Sequence, residues 1–83
     1  MRVLYFAWVK EKTGIAAEEI DPPAEVATIA ELIDWLKARG PEFENAFARS
    51  EVIRAAIDQS HVPHDARIKG AREIAFFPPV TGG

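Results

Sequence analysis

The chain contains no cysteine, which excludes a disulfide framework, a thiolate metal site and any cysteine sulfur as a reactive or carried group. Histidine occurs only as His61 and His64. With Asp65 these make weak ligands in a loop, without the helical spacing of a zinc site, and they read as surface residues rather than metal ligands. Basic charge is scarce as well: Lys and Arg number 10 against 13 Asp and Glu, a net charge of −3, so there is no electrostatic footprint for nucleic acid. No apolar run is long enough to span a bilayer and no signal-peptide pattern is present, so the expectation is a cytoplasmic protein without a membrane partner. A glycine-rich phosphate loop is missing, and Thr13, Thr28, Ser50, Ser60 and Thr81 have no histidine base at a recognisable spacing. The chain therefore carries no internal catalytic constellation.

What is present is enough apolar sequence, 48% of 83 residues, to build one small core without staples. Arg2 to Val9 favours a strand, with Arg2, Leu4, Phe6 and Trp8 on one side and Val3, Tyr5, Ala7 and Val9 on the other. The side that carries Arg2 is expected to face outward, which exposes Leu4, Phe6 and Trp8 as a partner surface unless loops or the second helix cover it. Lys10 to Gly14 reads as a polar turn, and Ile15 to Ile20 as the returning strand of a hairpin. Asp21-Pro22-Pro23 ends that strand. Thr28 followed by Glu31 is a capping-box signature, and Ile29, Leu32, Ile33 and Leu36 follow at helical spacing until Gly40-Pro41. Phe43, Ala46 and Phe47 predict a short second helix. Val52 to Ile57 reads as a third strand with Ile53, Ala55 and Ile57 toward the core, turned by Asp58-Gln59. Arg72 to Phe77 is the last strand, with Ile74 and Phe76 inward and Phe77 outward.

The order strand, strand, helix, short helix, strand, short extended segment, strand is an α+β layout, a mixed sheet packed on one main helix. It fits a ubiquitin-like β-grasp in residues 1–77, in which first and last strands lie side by side and bring Leu4 and Phe6 next to Phe77. Residues 78–83 are expected to form an extended tail.

That tail is the most informative stretch. The sequence ends Phe76-Phe77-Pro78-Pro79-Val80-Thr81-Gly82-Gly83, and terminal glycines add nothing to a core while losing the most backbone entropy on ordering. The reactive group such an ending presents is the α-carboxylate of Gly83, and without a Cβ on Gly82 or Gly83 it fits a channel too narrow for other residues. Pro78 and Pro79 fix φ and hold the tail extended, and the stretch from Pro78 to Gly83 reaches roughly 20 Å. A carboxylate is a poor electrophile, so its use requires activation by ATP.

This ending resembles that of the small subunit of molybdopterin synthase, and the resemblance extends through Met1 to Ala7 and Ala55 to Gln59. It implies a sulfur carrier of molybdenum-cofactor synthesis that is an enzyme only as the sulfur-donating subunit of a sulfurtransferase. An ATP-dependent E1-like enzyme would adenylate Gly83, and a sulfur donor protein would convert it to a thiocarboxylate. The tail, Pro78, Pro79, Val80, Thr81 and Gly82, would thread into a large subunit within a heterotetramer and pass sulfur to cyclic pyranopterin monophosphate. The chain itself would bind no cofactor, and Leu4, Phe6, Trp8, His61 and Phe77 would form the docking surface. Two departures from the family pattern stand out: Lys69-Gly70-Ala71-Arg72-Glu73 replaces an acidic turn, and His61 occupies a place usually apolar. A carrier for thiamin or tRNA thiolation, a protein modifier joined to lysine through Gly83, and an interaction domain with an idle tail share the same features and stay open at this level.

Overall fold

The computed structural model of the chain describes residues 1–79. Its elements are β1 (Arg2–Tyr5), α1 (Ala7–Thr13), β2 (Ala17–Glu19), α2 (Ile29–Lys37), α3 (Pro41–Ala46), a 3-10 turn (Ser50–Val52), β3 (Arg54–Ile57), β4 (Ser60–Val62) and β5 (Glu73–Phe77). The five-stranded sheet has the order β2-β1-β5-β3-β4. β1 and β5 pair in parallel at its middle, and every other pairing is antiparallel. First and last strands side by side beneath a main helix are the β-grasp arrangement expected from the sequence.

The first strand is the main correction. Arg2 to Val9 is not one strand: β1 stops at Tyr5, and Ala7 adopts φ 52° before a helical turn begins. A left-handed residue costs a non-glycine about 1–2 kcal/mol, and it redirects the chain out of the sheet line. The stretch read as a polar turn is the body and end of α1. Val9 and Thr13, four positions apart, are its buried residues, and Gly14 at φ 82° ends it by donating its N–H to the Lys10 carbonyl. Trp8 consequently does not share a strand face with Leu4. It sits on α1, half-buried against the core, with Lys12 Nζ 5.1 Å from its ring centre. β1 and β2 still pair antiparallel, but a helix joins them instead of a tight hairpin turn.

Helix α2 forms as its sequence dictates. Thr28 accepts a hydrogen bond from the Glu31 N–H at 3.2 Å, and Glu31 Oε1 accepts from the Thr28 N–H at 3.2 Å, closing the capping box. Its apolar stripe, Ile29, Leu32, Ile33 and Leu36, is at most 2% exposed. Pro41 opens α3, whose Phe43 and Ala46, with Phe47 just beyond, complete the core. Tyr5, Phe47 and Phe76 form its aromatic centre, with Phe76 stacked on Tyr5 at 6.3 Å and edge-on to Phe47 at 5.2 Å.

The third strand starts later than expected, at Arg54, after the 3-10 turn. Ile53 and Ala55 are buried as the alternation required. Ile57 is only half-buried, because it lies near the strand end, and Ala56 on the opposite face is buried instead. Asp58 and Gln59 turn the chain with φ 47° and 72°. The Asp58 carboxylate accepts the Arg72 and Glu73 N–H groups at 3.0 and 2.9 Å, which ties this turn to the start of β5.

Candidate functional site

Strand alternation sorts the sheet into two faces. Val3, Tyr5, Ala55, Ile74 and Phe76 face the helices. The register then assigns Arg2 and Leu4 of β1, Ala17 and Glu19 of β2, Glu73, Ala75 and Phe77 of β5, Arg54 and Ala56 of β3, and His61 of β4 to the outer face. No helix covers it.

The parity expected for the last strand holds: Ile74 and Phe76 are fully buried, and Phe77 is half-exposed on the outer face. Phe6 is extended and donates its N–H to the Phe76 carbonyl at 3.1 Å, the last rung between the two central strands. The residue is 47% exposed, and it is the exposed large hydrophobic residue among those described. Leu4, half-buried, lies opposite Ala75. Phe77 finds its ring partner in His61, centre to centre 5.1 Å, rather than in Phe6. The outer face near the end of β5 is thus an apolar surface bordered by Phe6, Leu4, Phe77 and His61. Trp8 lies apart from it on α1.

Pro78 and Pro79 follow β5 without regular structure, each half-buried. Their origin in a central strand has a mechanical consequence, since a stalk rooted between two hydrogen-bonded neighbours has a fixed starting direction. Val80, Thr81, Gly82 and Gly83 lie outside the described residues.

Sequence reasoning missed one polar cluster on the inner side. Tyr5 donates its hydroxyl to Glu18 Oε2 at 2.8 Å, and Arg39 grips both oxygens of Glu18 at 2.7 and 2.8 Å while lying 4.7 Å over the Phe43 ring. Arg39 holds the Glu18 carboxyl below the usual carboxylate range, and burial, reinforced by the Glu18 carboxylate, pushes the Tyr5 phenol well above its ordinary value. The arrangement ties β2 to the end of α2. It lies on the face of the sheet opposite to that of Phe77. Only the alternation of Glu18 with its neighbours hinted at its inward position.

The two histidines separate. His61 is exposed, whereas His64 is half-buried, with Nε2 2.8 Å from the Ile53 carbonyl oxygen, so it braces the loop rather than standing free on the surface. Among the described residues, no group of three His, Asp or Glu side chains is placed to hold a metal ion, and no helix is long and apolar enough to cross a membrane. A cleft of about 570 Å³ lies at the other end of the sheet, between Met1, Ile20, Pro22, Val26, Ile68 and Ala71.

Comparison with known proteins agrees with this geometry. Residues 3–83 match the model of the ThiS family. The molybdopterin synthase sulfur carrier subunit of Haemophilus influenzae is 34% identical over 83 residues, 100% of this chain and 99% of that protein. Its counterpart of the same description in Escherichia coli is 35% identical over 83 residues, with the same coverage. The crystal structure of SAMP1 from Haloferax volcanii shares the fold, with a TM-score of 0.72 at 22% identity over 100% of this chain and 98% of that one. The chain therefore belongs to the ThiS family, and the likeness that its ending bears to the small subunit of molybdopterin synthase holds along its whole length.

Proposed function

We propose that this chain is the sulfur carrier of molybdenum-cofactor synthesis and the small subunit of a molybdopterin synthase. The observation that carries the reading is the full-length likeness to proteins described as sulfur carrier subunits, with the terminal glycines inside the matched span. Gly83 is the reacting residue. Its carboxylate attacks the α-phosphate of ATP on an E1-like activating enzyme, pyrophosphate leaves, and the acyl-adenylate becomes an electrophile that the free carboxylate is not. The terminal sulfur of a donor-protein persulfide then displaces AMP to give an acyl disulfide, and a thiol cleaves that disulfide by forming a new disulfide with the donor sulfur, which leaves the thiocarboxylate.

In the large subunit that sulfur passes to cyclic pyranopterin monophosphate, and the acids, bases and substrate-binding groups belong to that partner. This chain supplies position. Gly82 keeps the tail narrow, Pro78 and Pro79 keep it extended, and Phe6, Leu4 and Phe77 offer the apolar docking face at its root. Burying such a face is what holds the tail in the partner's channel while the transfer proceeds.

Intact-mass measurement after co-expression with an activating enzyme and a sulfur donor tests the proposal. Exchange of one oxygen for sulfur at the carboxyl terminus is the expected result. An unchanged mass in the presence of an active activating enzyme would refute it, and a lysine-linked conjugate would reassign the chain as a modifier.

A further inference from the structure

Charge on the outer face of the sheet is balanced at one end and unbalanced at the other. Away from the tail, Arg2 stands between Glu19 on β2 and Glu73 on β5, both in direct register with it. Beside the tail, Arg54 is in register with Phe77, and His61 with Ala56. No carboxylate lies opposite either of them. The acids nearest to Arg54 in the chain are engaged elsewhere: Glu51 lies 3.8 Å from Arg49, and Asp58 accepts main-chain hydrogen bonds at the far end of β3. Arg54 is exposed and has no ion-pair partner among the described residues.

These groups frame a defined space. Arg54, His61, Val62, Pro63 and Phe77 line an open cleft of about 500 Å³. The His61 ring packs 5.1 Å from that of Phe77, which places the imidazole at the cleft wall. A guanidinium and an imidazole lining one cleft beside an aromatic ring suit a carboxylate. Arginine binds it by its planar fork, and imidazole adds a hydrogen bond.

We propose that this cleft receives an aspartate or glutamate side chain of the protein that takes the tail, and that Arg54 and His61 select partners bearing an acidic residue at that point. The inference rests on the docking face proposed above and gives it a polarity that Phe6, Leu4 and Phe77 lack. Unsatisfied charge next to an apolar patch discriminates by penalty: a partner with an apolar residue there would desolvate Arg54 without compensation. The carboxylate therefore acts on partner choice and on the rate of encounter, while the rings supply the contact area.

The test is calorimetric titration of the intact chain into the molybdopterin synthase large subunit from the same genome, at low and high salt. Arg54→Glu is expected to weaken binding by at least about tenfold at low salt, Arg54→Lys to recover much of that loss, and Arg54→Leu to flatten the salt dependence of the wild type. Thermal melts of each variant alone, expected to be close to wild type because Arg54 is exposed, exclude misfolding. If Phe77→Ala weakens binding but Arg54→Glu binds as the wild type does, the acidic-partner inference is overturned and the docking face stands. If the wild type itself does not bind, the docking reading falls and this inference with it.

Discussion

Adjacent phenylalanines on β5 offer a sharp test, because the strand turns one inward and the other outward. Phe76 is fully buried, with the Tyr5 ring stacked at 6.3 Å and the Phe47 ring edge-on at 5.2 Å. Truncation to alanine is expected to cost about 3–5 kcal/mol, a large part of the roughly 5–15 kcal/mol available to a domain. Phe77 is half-exposed and has one ring neighbour, His61. Removing a half-buried ring costs about 1 kcal/mol. At about 4–8 °C per kcal/mol for a domain of this size, the two variants should melt well apart, with Phe76→Ala the lower. Binding should reverse the order. Phe77→Ala removes an interface ring whose full burial is worth about 1.5–3 kcal/mol, so affinity for the large subunit drops about ten- to a hundred-fold. Should Phe76→Ala prove too unstable to purify, Phe76→Leu keeps most of the volume at about 1.5 kcal/mol or less and should bind normally. Denaturant melts beside calorimetric titrations measure both quantities. A Phe77→Ala variant that loses stability but not affinity would show that the strand faces the wrong way and that the docking surface lies elsewhere.

Gly82→Ala is expected to leave the melting temperature unchanged and to slow both activation and sulfur transfer; equal rates in a thiocarboxylate assay would refute the narrow-channel argument. Tyr5 is the single tyrosine, and because its phenol is held above its ordinary value, ultraviolet titration should show no phenolate in the folded protein at pH values where free tyrosine, near 10, ionises. Deprotonation at the ordinary value without unfolding would contradict the buried hydrogen bond to Glu18. Glu18 is depressed in the folded chain, so its contribution to stability is complete above the ordinary carboxylate value and is lost as pH falls through the lower native one. Acid melts of Glu18→Gln should therefore start less stable at neutral pH and change less on acidification than the wild type. In the turn between β3 and β4, Gln59 has φ 72°, and Gln59→Gly should stabilise the chain by about 1 kcal/mol in chemical denaturation.

Local signals were legible in the sequence wherever one short stretch settles the outcome. Thr28 and Glu31 cap α2 from within a single turn, so no distant contact is needed to start the helix. Alternation in Arg72 to Phe77 assigned Phe76 and Phe77 to opposite faces because a strand has period two, and neighbours cannot alter that parity. The resemblance of the ending, Phe76 to Gly83, to the small subunit of molybdopterin synthase was legible for the same local reason, since it lies in the residue types of one stretch.

Tertiary structure decided what one stretch leaves degenerate. Arg2 to Val9 is apolar on both sides, and a helix of seven residues, Ala7–Thr13, shows too few turns for its period to emerge. Only the left-handed turn at Ala7, stabilised by burial of Val9 and Thr13, takes Trp8 off the sheet face. Tyr5, Glu18 and Arg39 meet across separations of 13 and 21 residues, which no periodicity connects. The apposition of Arg54 and His61 with Phe77 likewise depends on β3 lying between β4 and β5. Strand order is set by which long-range pairings bury the common core, and that is a property of the assembled sheet rather than of any segment within it.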